Sequence, residues 1–118
     1  MYEINIKNKR TWNGDGEYVG RPSPLGNPIS IDSREKCIDE YAMLLKADIS
    51  HKHQPTMKAL EYLFEKFIDN KKLNLICWCA PKLCHAIFIK QVLLNKFHYG
   101  NWLIYDGIWF GDIGIRGL

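Results

Sequence analysis

The residue types most capable of chemistry concentrate in one stretch of this chain, residues 75–85, which reads Leu-Ile-Cys-Trp-Cys-Ala-Pro-Lys-Leu-Cys-His. An apolar run typical of a buried strand ends there in a turn, and a helical pattern starts directly behind it. In open α/β folds, ligands bind at such carboxyl ends of strands, beside the N-terminus of the next helix. The stretch therefore predicts a binding or catalytic site.

A metal site is the first chemistry that these residue types suggest. Cys77 and Cys79 share a face of the predicted strand, and Cys84 and His85 follow within a turn. Structural zinc sites favour four such ligands, but usually with a C-x₂-C spacing that is absent here. Cysteines are also common as small buried apolar residues. We therefore expect neither a metal nor another cofactor.

Covalent or acid–base catalysis is the second chemistry. The dipole of the following helix would stabilise a thiolate at Cys84, and His85 is the nearest base. Adjacent helical residues point about 100° apart, which predicts poor placement of His85 for that role. Asp32 is the one carboxylate that we add to Cys84 and His85 as a candidate catalytic group.

Anion binding is the third possible chemistry, and it requires the fewest specialised side chains. Backbone N–H groups around residues 82–85 would point out of the helix start, whereas Pro81 donates none. Arg21 can add a bidentate fork, and His85 a further donor. Trp78 could stack on a base, although tryptophan is as common in cores. The predicted ligand-binding residues are Arg21, Ser23, Gly26, Asn27, Arg34, Trp78, Cys79, Pro81, Cys84 and His85.

A second segment, Gly20–Pro28, is predicted to position part of this site. It holds three prolines and two glycines in nine residues. Proline fixes φ and glycine permits φ above zero, so we expect one rigid, irregular shape. Asn27 can bond a ligand or simply form a turn. Arg34, in the first turn of the next helix, can reach the pocket or remain an exposed surface residue.

The elements that must position these segments follow from hydrophobic periodicity. Tyr2 to Lys7 alternates as a half-buried strand does, and Glu17–Val19 can return as a second strand after the turn Asn13–Gly16. Leu73 to Trp78 is the best central strand. A C-terminal β-hairpin is expected over about 101–111, around Asp106-Gly107.

Three helices are predicted between and after these strands. Asp32 with Glu35 forms a capping box, and the following helix carries Tyr41, which we expect in the core with its hydroxyl at the surface. His51 and His53 lie in a polar break. Thr56 can cap a second helix with an apolar stripe, and a well-buried third helix runs from about Cys84 to Phe97. The stripe comprises Leu60, Leu63, Phe64 and Phe67.

The length, net charge and hydrophobicity of the chain limit the classes of function that it can have. The chain has 118 residues, which suits one α/β domain, and a formal net charge of +3, which argues against nucleic-acid binding as the main role. No apolar run approaches the roughly 20 residues needed to cross a bilayer. The N-terminus lacks a secretory signal, which favours reduced thiols and a cytoplasmic protein.

The chain resembles a domain-of-unknown-function family of small phage and bacterial proteins. The resemblance rests on Gly20–Pro28, on Arg34 to Leu45 with Tyr41, and on Leu75–His85, and covers about residues 18–95. The last motif is also similar to that of another group with a Rossmann-like fold. Family members commonly have Gly-Asp after the Cys-His pair, where this chain has Ala86-Ile87, so a carboxylate is missing here.

The resemblance implies a small Rossmann-like, three-layer α/β domain with a mostly parallel sheet, in which both motifs meet at one pocket. We expect it to bind a phosphate-bearing or nucleotide-derived small molecule, as a phage protein that sequesters a nucleotide immune signal in the host cytoplasm would. An enzyme acting on a nucleotide or ADP-ribose-like N-glycosidic or phosphate bond is the alternative. A third is an interaction module or homodimer that uses the aromatic hairpin Trp102–Phe110.

Overall fold

The computed structural model describes residues 1–27, 34–78 and 84–103. In these residues the chain forms three strands and three helices. The strands are β1 (Glu3–Asn8), β2 (Glu17–Tyr18) and β3 (Lys72–Cys77), and the helices are α1 (Arg34–Ser50), α2 (Gln54–Asn70) and α3 (Ala86–Tyr99).

The three strands make one parallel sheet in the order β1-β3-β2. Asn8 at the end of β1 pairs with Cys77 at the end of β3, and Tyr18 pairs with Ile76. All three strands therefore end at the same edge of the sheet. The predicted α/β class and parallel sheet are confirmed, and β3 is the central strand, as its apolar sequence predicts.

The position of β2 differs from what the turn Asn13–Gly16 suggests. A strand that returned after this turn would pair with β1 in a hairpin. Instead β2 runs parallel to β3 on the far side from β1. The intervening segment crosses the polar face of the sheet, where Asn74 donates a hydrogen bond to the carbonyl of Asp15 at 3.1 Å. This hydrogen bond holds the segment against β3.

The helices bury the other face of the sheet in one apolar cluster. Leu60, Leu63 and Phe67 of the predicted α2 stripe are buried, and Phe64 is half-buried beside them. Helix α3 is the most buried of the three helices, since Phe88, Ile89, Val92 and Leu93 are fully inaccessible to solvent. Such burial on several faces is the expected consequence of an apolar pattern without a clear polar stripe.

Two details of the helices correct the sequence-based expectations. Thr56 does not cap α2, because the helix begins earlier, at Gln54, with His53 as its N-cap. The buried Thr56 hydroxyl instead donates to a carboxylate oxygen of Asp48 on α1, at 3.0 Å. Cys84 precedes α3 rather than opening it, and His85 occupies the N-cap position.

The predicted C-terminal hairpin falls mostly outside the described residues, which end at Leu103. Of its aromatic side chains the structure describes Trp102, whose ring packs edge-on against Phe64 of α2 with centroids 5.8 Å apart. Leu103 is buried in the core. The beginning of this segment therefore contributes to the packing of the domain, and a homodimer through Trp102–Phe110 stays a prediction.

Candidate functional site

The carboxyl edge of the sheet assembles residues from three separate parts of the sequence. Because β1, β3 and β2 are parallel and nearly in register, the residues that follow them emerge side by side. Lys9 and Arg10 follow β1, Trp78 follows β3, and the Gly20–Pro28 loop follows β2 and Val19. This is the edge at which open parallel sheets bind ligands.

Trp78 is the most unusual side chain at this edge. It is 49% exposed, yet its orientation is fixed. The indole Nε1 donates to the Tyr18 hydroxyl at 3.1 Å, and that hydroxyl donates to the carbonyl of Arg21 at 2.7 Å. A rigid indole with much of its surface in solvent is a preformed stacking platform, since tryptophan otherwise gains most by burial.

Two cations accompany the Trp78 ring. Lys9 Nζ lies 5.8 Å and the Arg10 guanidinium carbon 5.7 Å from its centroid, and Lys9 also lies 5.2 Å from the Tyr18 ring. These distances are within the range of cation–π attraction. The edge of the sheet thus combines aromatic surface with positive charge, which together suit a ligand with a planar ring and an anionic group.

Residues 20–27 are held in shape by hydrogen bonds within this segment. Arg21 is exposed, and its Nε donates to the carbonyl of Asn27. Ser23 Oγ accepts from the amide of Leu25 at 3.2 Å. A Cβ on Gly26 would lie 2.8 Å from the backbone nitrogen of Arg21, so only glycine allows this close approach.

Two buried aromatic side chains tie the same loop to the helices. Tyr41 of α1 donates its hydroxyl to the carbonyl of Leu25 at 2.8 Å, and His85 bonds the carbonyl of Val19 through Nε2 at 2.8 Å. The two rings meet edge to face with centroids 5.0 Å apart. The Tyr41 hydroxyl is therefore in the core and not at the surface, because it satisfies an otherwise buried carbonyl.

These contacts define the protonation states of the two rings. A carbonyl only accepts hydrogen bonds, so His85 carries its proton on Nε2 and is left with an acceptor at Nδ1. Burial lowers the pKa of His85, the bond to Val19 opposes this, and the charge of Arg21 lowers the pKa further. Burial is also the main reason why the pKa of Tyr41 is raised, followed by the charges of Cys84 and Asp48.

Cys84 lies closer to a base than its sequence position suggests. Its Sγ is 3.5 Å from His85 Nδ1, the nitrogen that can accept the thiol proton. The expectation that neighbouring residues would point apart assumed that both are helical, but Cys84 precedes α3. The thiol is 1% exposed and the imidazole 7%, so in this conformation the pair is buried beneath the surface.

The remaining predicted site residues divide between described and undescribed parts of the chain. Asn27 is half-buried and donates from Nδ2 to the carbonyl of Cys37 at 3.3 Å, which secures the loop to α1. Arg34 is the first residue of α1. Asp32, Cys79 and Pro81 lie outside the described residues, as do Lys82 and Leu83, two of the four residues whose amides were predicted to bind an anion. Within the described ranges, no three His, Cys, Asp or Glu side chains cluster as a metal site would require.

Lys9, Arg10 and Tyr18 are part of the site but were not predicted from the sequence. Their positions relative to the strands could have identified two of them, because Lys9 and Arg10 directly follow one strand and Trp78 directly follows another. If both strands are taken as parallel neighbours, their following residues must meet at one edge. The sequence indicated only that a strand could return after the turn Asn13–Gly16, without its pairing partner, so this meeting was not foreseen.

Comparison with known proteins identifies the family. A family model described as Domain of unknown function (DUF4326) matches residues 4–95. The chain belongs to the DUF4326 family. The matched region begins in β1 and extends into α3, so it includes the sheet, the Gly20–Pro28 loop and the Cys77–His85 turn.

The other comparisons add no relative. Neither the curated proteins nor the solved structures contain a match to this chain. Among the described residues, no helix has the length and hydrophobicity required to cross a membrane.

Proposed function

We propose that this DUF4326 protein binds a phosphate-bearing, nucleotide-derived small molecule at the carboxyl edge of its sheet. The observation that carries the proposal is the fixed, half-exposed indole of Trp78 with the cations of Lys9 and Arg10 beside it. Stacking a base on an aromatic ring contributes about 1–3 kcal/mol of binding free energy. Adding the phosphate charge gives the ligand a second, independent point of recognition.

The phosphate of this ligand is bound by the basic side chains around the ring. Arg21 lies on the loop beside Trp78, because its carbonyl accepts from the same Tyr18 hydroxyl that holds the indole. Its guanidinium offers the planar fork that suits phosphate oxygens. Lys9 and Arg10 lie against aromatic rings, and they turn toward the phosphate when a base takes the ring face.

Two buried aromatic side chains, His85 and Tyr41, act as supports in this proposal. The His85 N–H that the sequence suggested as a ligand donor is engaged with the carbonyl of Val19. Tyr41 holds Leu25 in the same way. Both rings therefore fix the loop that presents Arg21, and binding sites held by such locked neighbours lose little free energy to ordering on ligand binding.

Calorimetric titration tests the proposal directly. The purified protein is titrated with adenosine, ribose 5-phosphate, ADP, ADP-ribose and cyclic dinucleotides at low and high salt. We expect binding of at least one ligand that has both a base and a phosphate, weaker binding of the fragments, and loss of affinity at high salt. Absence of binding across this panel contradicts the proposal.

A matched pair of variants shows whether ligand affinity depends on Trp78 specifically or on exposed aromatic side chains in general. Tyr62 on α2 is 48% exposed and has Lys66 5.5 Å from its ring centroid, so it reproduces the exposure and cation contact of Trp78 elsewhere. Trp78→Ala should reduce affinity by about tenfold or more, in line with the loss of one stacked base. Tyr62→Ala should leave the affinity unchanged. Equal effects of both substitutions would refute the assignment.

The contact between Cys84 and His85 supports a second candidate, an enzyme that acts on the same class of ligand. A proton transfer from Sγ to Nδ1 would create a thiolate nucleophile next to an imidazolium. The thiolate would then form a bond to the sugar carbon or the phosphorus atom, and the bond to the base or the alcohol oxygen would break as this leaving group takes the proton from the imidazolium. The buried thiol must first become accessible. Product formation that Cys84→Ser abolishes while binding persists would establish this candidate. Unchanged ligand after prolonged incubation would favour binding alone.

We also propose a biological role that follows from binding without turnover. A phage-encoded protein that sequesters a nucleotide immune signal in the host cytoplasm needs a site that retains its ligand. The support is the resemblance to phage and bacterial proteins, together with the stacking platform. Expression of the protein in bacteria with a nucleotide-signalled defence should restore phage growth, and Trp78→Ala should abolish this restoration. If the variant restores growth as well as the wild type, this role is refuted.

A further inference from the structure

A cavity lies between residues 23–26, α1 and the start of α2. Its volume is about 340 Å³, which is at the lower end of the range for small-molecule sites. Leu25, Leu44 and Leu45 supply apolar walls, and Ser23, Asp48 and Thr56 supply polar groups. Leu25 and Tyr41, which are joined by a hydrogen bond and almost completely buried, make this wall rigid.

The charge of this cavity is negative. The half-buried Asp48 carboxylate accepts one hydrogen bond there, from the neutral hydroxyl of Thr56 at 3.0 Å. Among the described residues that line the cavity there is no lysine or arginine, and its basic group is the exposed imidazole of His53. The influence of Asp48 extends to the buried Tyr41, whose pKa its charge helps to raise. A carboxylate has about four acceptor positions, so one hydroxyl leaves capacity for a further donor.

We propose that this cavity binds a small alkylammonium ligand. An ammonium group has three N–H donors and no acceptor, which complements the Asp48 carboxylate and the Ser23 Oγ. A short aliphatic stem would pack against Leu44 and Leu25. The apolar walls and the Asp48 carboxylate disfavour a phosphate group, so this cavity differs from the proposed nucleotide site in the charge of the ligand that it suits.

Amide chemical shifts from NMR titrations test the proposal. The probe is n-butylammonium, with n-butanol and butyrate as controls of the same length but different charge. We expect saturable shifts confined to residues 23–26, 41–48 and 53–56 for the amine, with much weaker effects of the alcohol and none of the acid. Equal binding of amine and alcohol, or no saturable shifts at all, would overturn the proposal.

Three variants test whether the Asp48 carboxylate is responsible for the binding of butylammonium. Asp48→Asn should weaken binding at least tenfold, and Asp39→Asn, an exposed position on the same helix, should leave it unchanged. If Asp48→Asn does not fold, Leu44→Lys provides the second test, because a lysine one helical turn before Asp48 would place its own ammonium in the cavity and exclude the ligand. Unchanged butylammonium binding in folded Asp48→Asn or Leu44→Lys protein refutes the site.

Discussion

The motif residues of this chain form two groups that differ in burial. His85, Tyr41 and Cys84 are at most 7% exposed, and their polar atoms contact other groups of the same chain. Trp78, from the same motif as Cys84 and His85, and Arg21, from the Gly20–Pro28 motif, are exposed at the carboxyl edge of the sheet. Histidine, tyrosine and cysteine have the more reactive side chains, yet here they lie inside, whereas the surface presents stacking and charge.

This difference shows that residue type alone does not identify a contact with a ligand. A buried polar ring that satisfies a loop carbonyl is required for the shape of that loop. The fold does not require an exposed tryptophan with a fixed orientation in the same way, because much of its ring is not packed against other residues. Substitutions in the buried group should therefore reduce stability, and substitutions in the exposed group should reduce ligand binding. The following predictions test this division in order of decreasing effect.

The largest effect on stability is expected for His85→Ala. The substitution leaves the carbonyl of Val19 without its donor and removes the ring that contacts Tyr41, so the free energy of unfolding should fall by about 3 kcal/mol. Urea denaturation followed by circular dichroism measures this change. His51→Ala, at an exposed position, is the control and should change stability by less than about 0.5 kcal/mol. Similar stability of the two variants would contradict the supporting role of His85.

Tyr41→Phe should have an intermediate effect. It deletes only the hydroxyl that donates to Leu25, which leaves a buried carbonyl unsatisfied at a cost of about 1–2 kcal/mol. The same denaturation measurement applies, with Tyr62→Phe on the exposed face of α2 as the matched control. A Tyr41→Phe protein as stable as the control would show that water or another donor replaces the hydroxyl.

Stability should also depend on pH through His85. Because burial lowers its pKa in the folded state, the unfolded chain binds a proton more readily. The free energy of unfolding should therefore decrease as the pH falls below the ordinary histidine value of 6.5, until the folded-state pKa is reached. Denaturation midpoints between neutral and mildly acidic pH measure the slope. His85→Gln should flatten it, and an unchanged slope would assign the effect to other groups.

The smallest effect on stability is expected for Trp78→Ala. The ring is half-exposed and makes one hydrogen bond, to Tyr18, so the loss should be about 1 kcal/mol or less. Thermal denaturation of the Trp78→Ala and His85→Ala proteins measures the difference in stability loss between the exposed and the buried group. A larger destabilisation by Trp78→Ala than by His85→Ala would reverse the division.

Local patterns in the sequence predicted the elements better than their contacts. The alternation in Tyr2 to Lys7 and the α2 stripe depend on residues close in sequence, and both elements are present. The pairing of β2 with β3 joins segments almost 60 residues apart, and a turn signal at Asn13–Gly16 cannot report it. The buried hydroxyl of Tyr41 was missed for the same reason, since its partner carbonyl belongs to a distant loop.

The candidate site was predictable in part for a related reason. Trp78 and Arg21 stand in segments whose composition is unusual, so they were selected from the sequence alone. Lys9 and Arg10 stand in an ordinary polar turn, and their proximity to Trp78 depends on the parallel register of β1 with β3. The pairing of β1 with β3 brings the positive charges next to the aromatic ring, and this pairing cannot be deduced from local sequence patterns.

Fluorine NMR of protein labelled with 5-fluorotryptophan tests the central claim most directly. Four tryptophans give four resonances, and single substitutions to phenylalanine assign them. Addition of the nucleotide-derived ligand should shift the Trp78 resonance, while that of Trp12, whose ring contacts Lys7 and lies against Gly14, stays in place. A ligand that binds without moving the Trp78 resonance would contradict the stacking platform on which the proposed function depends.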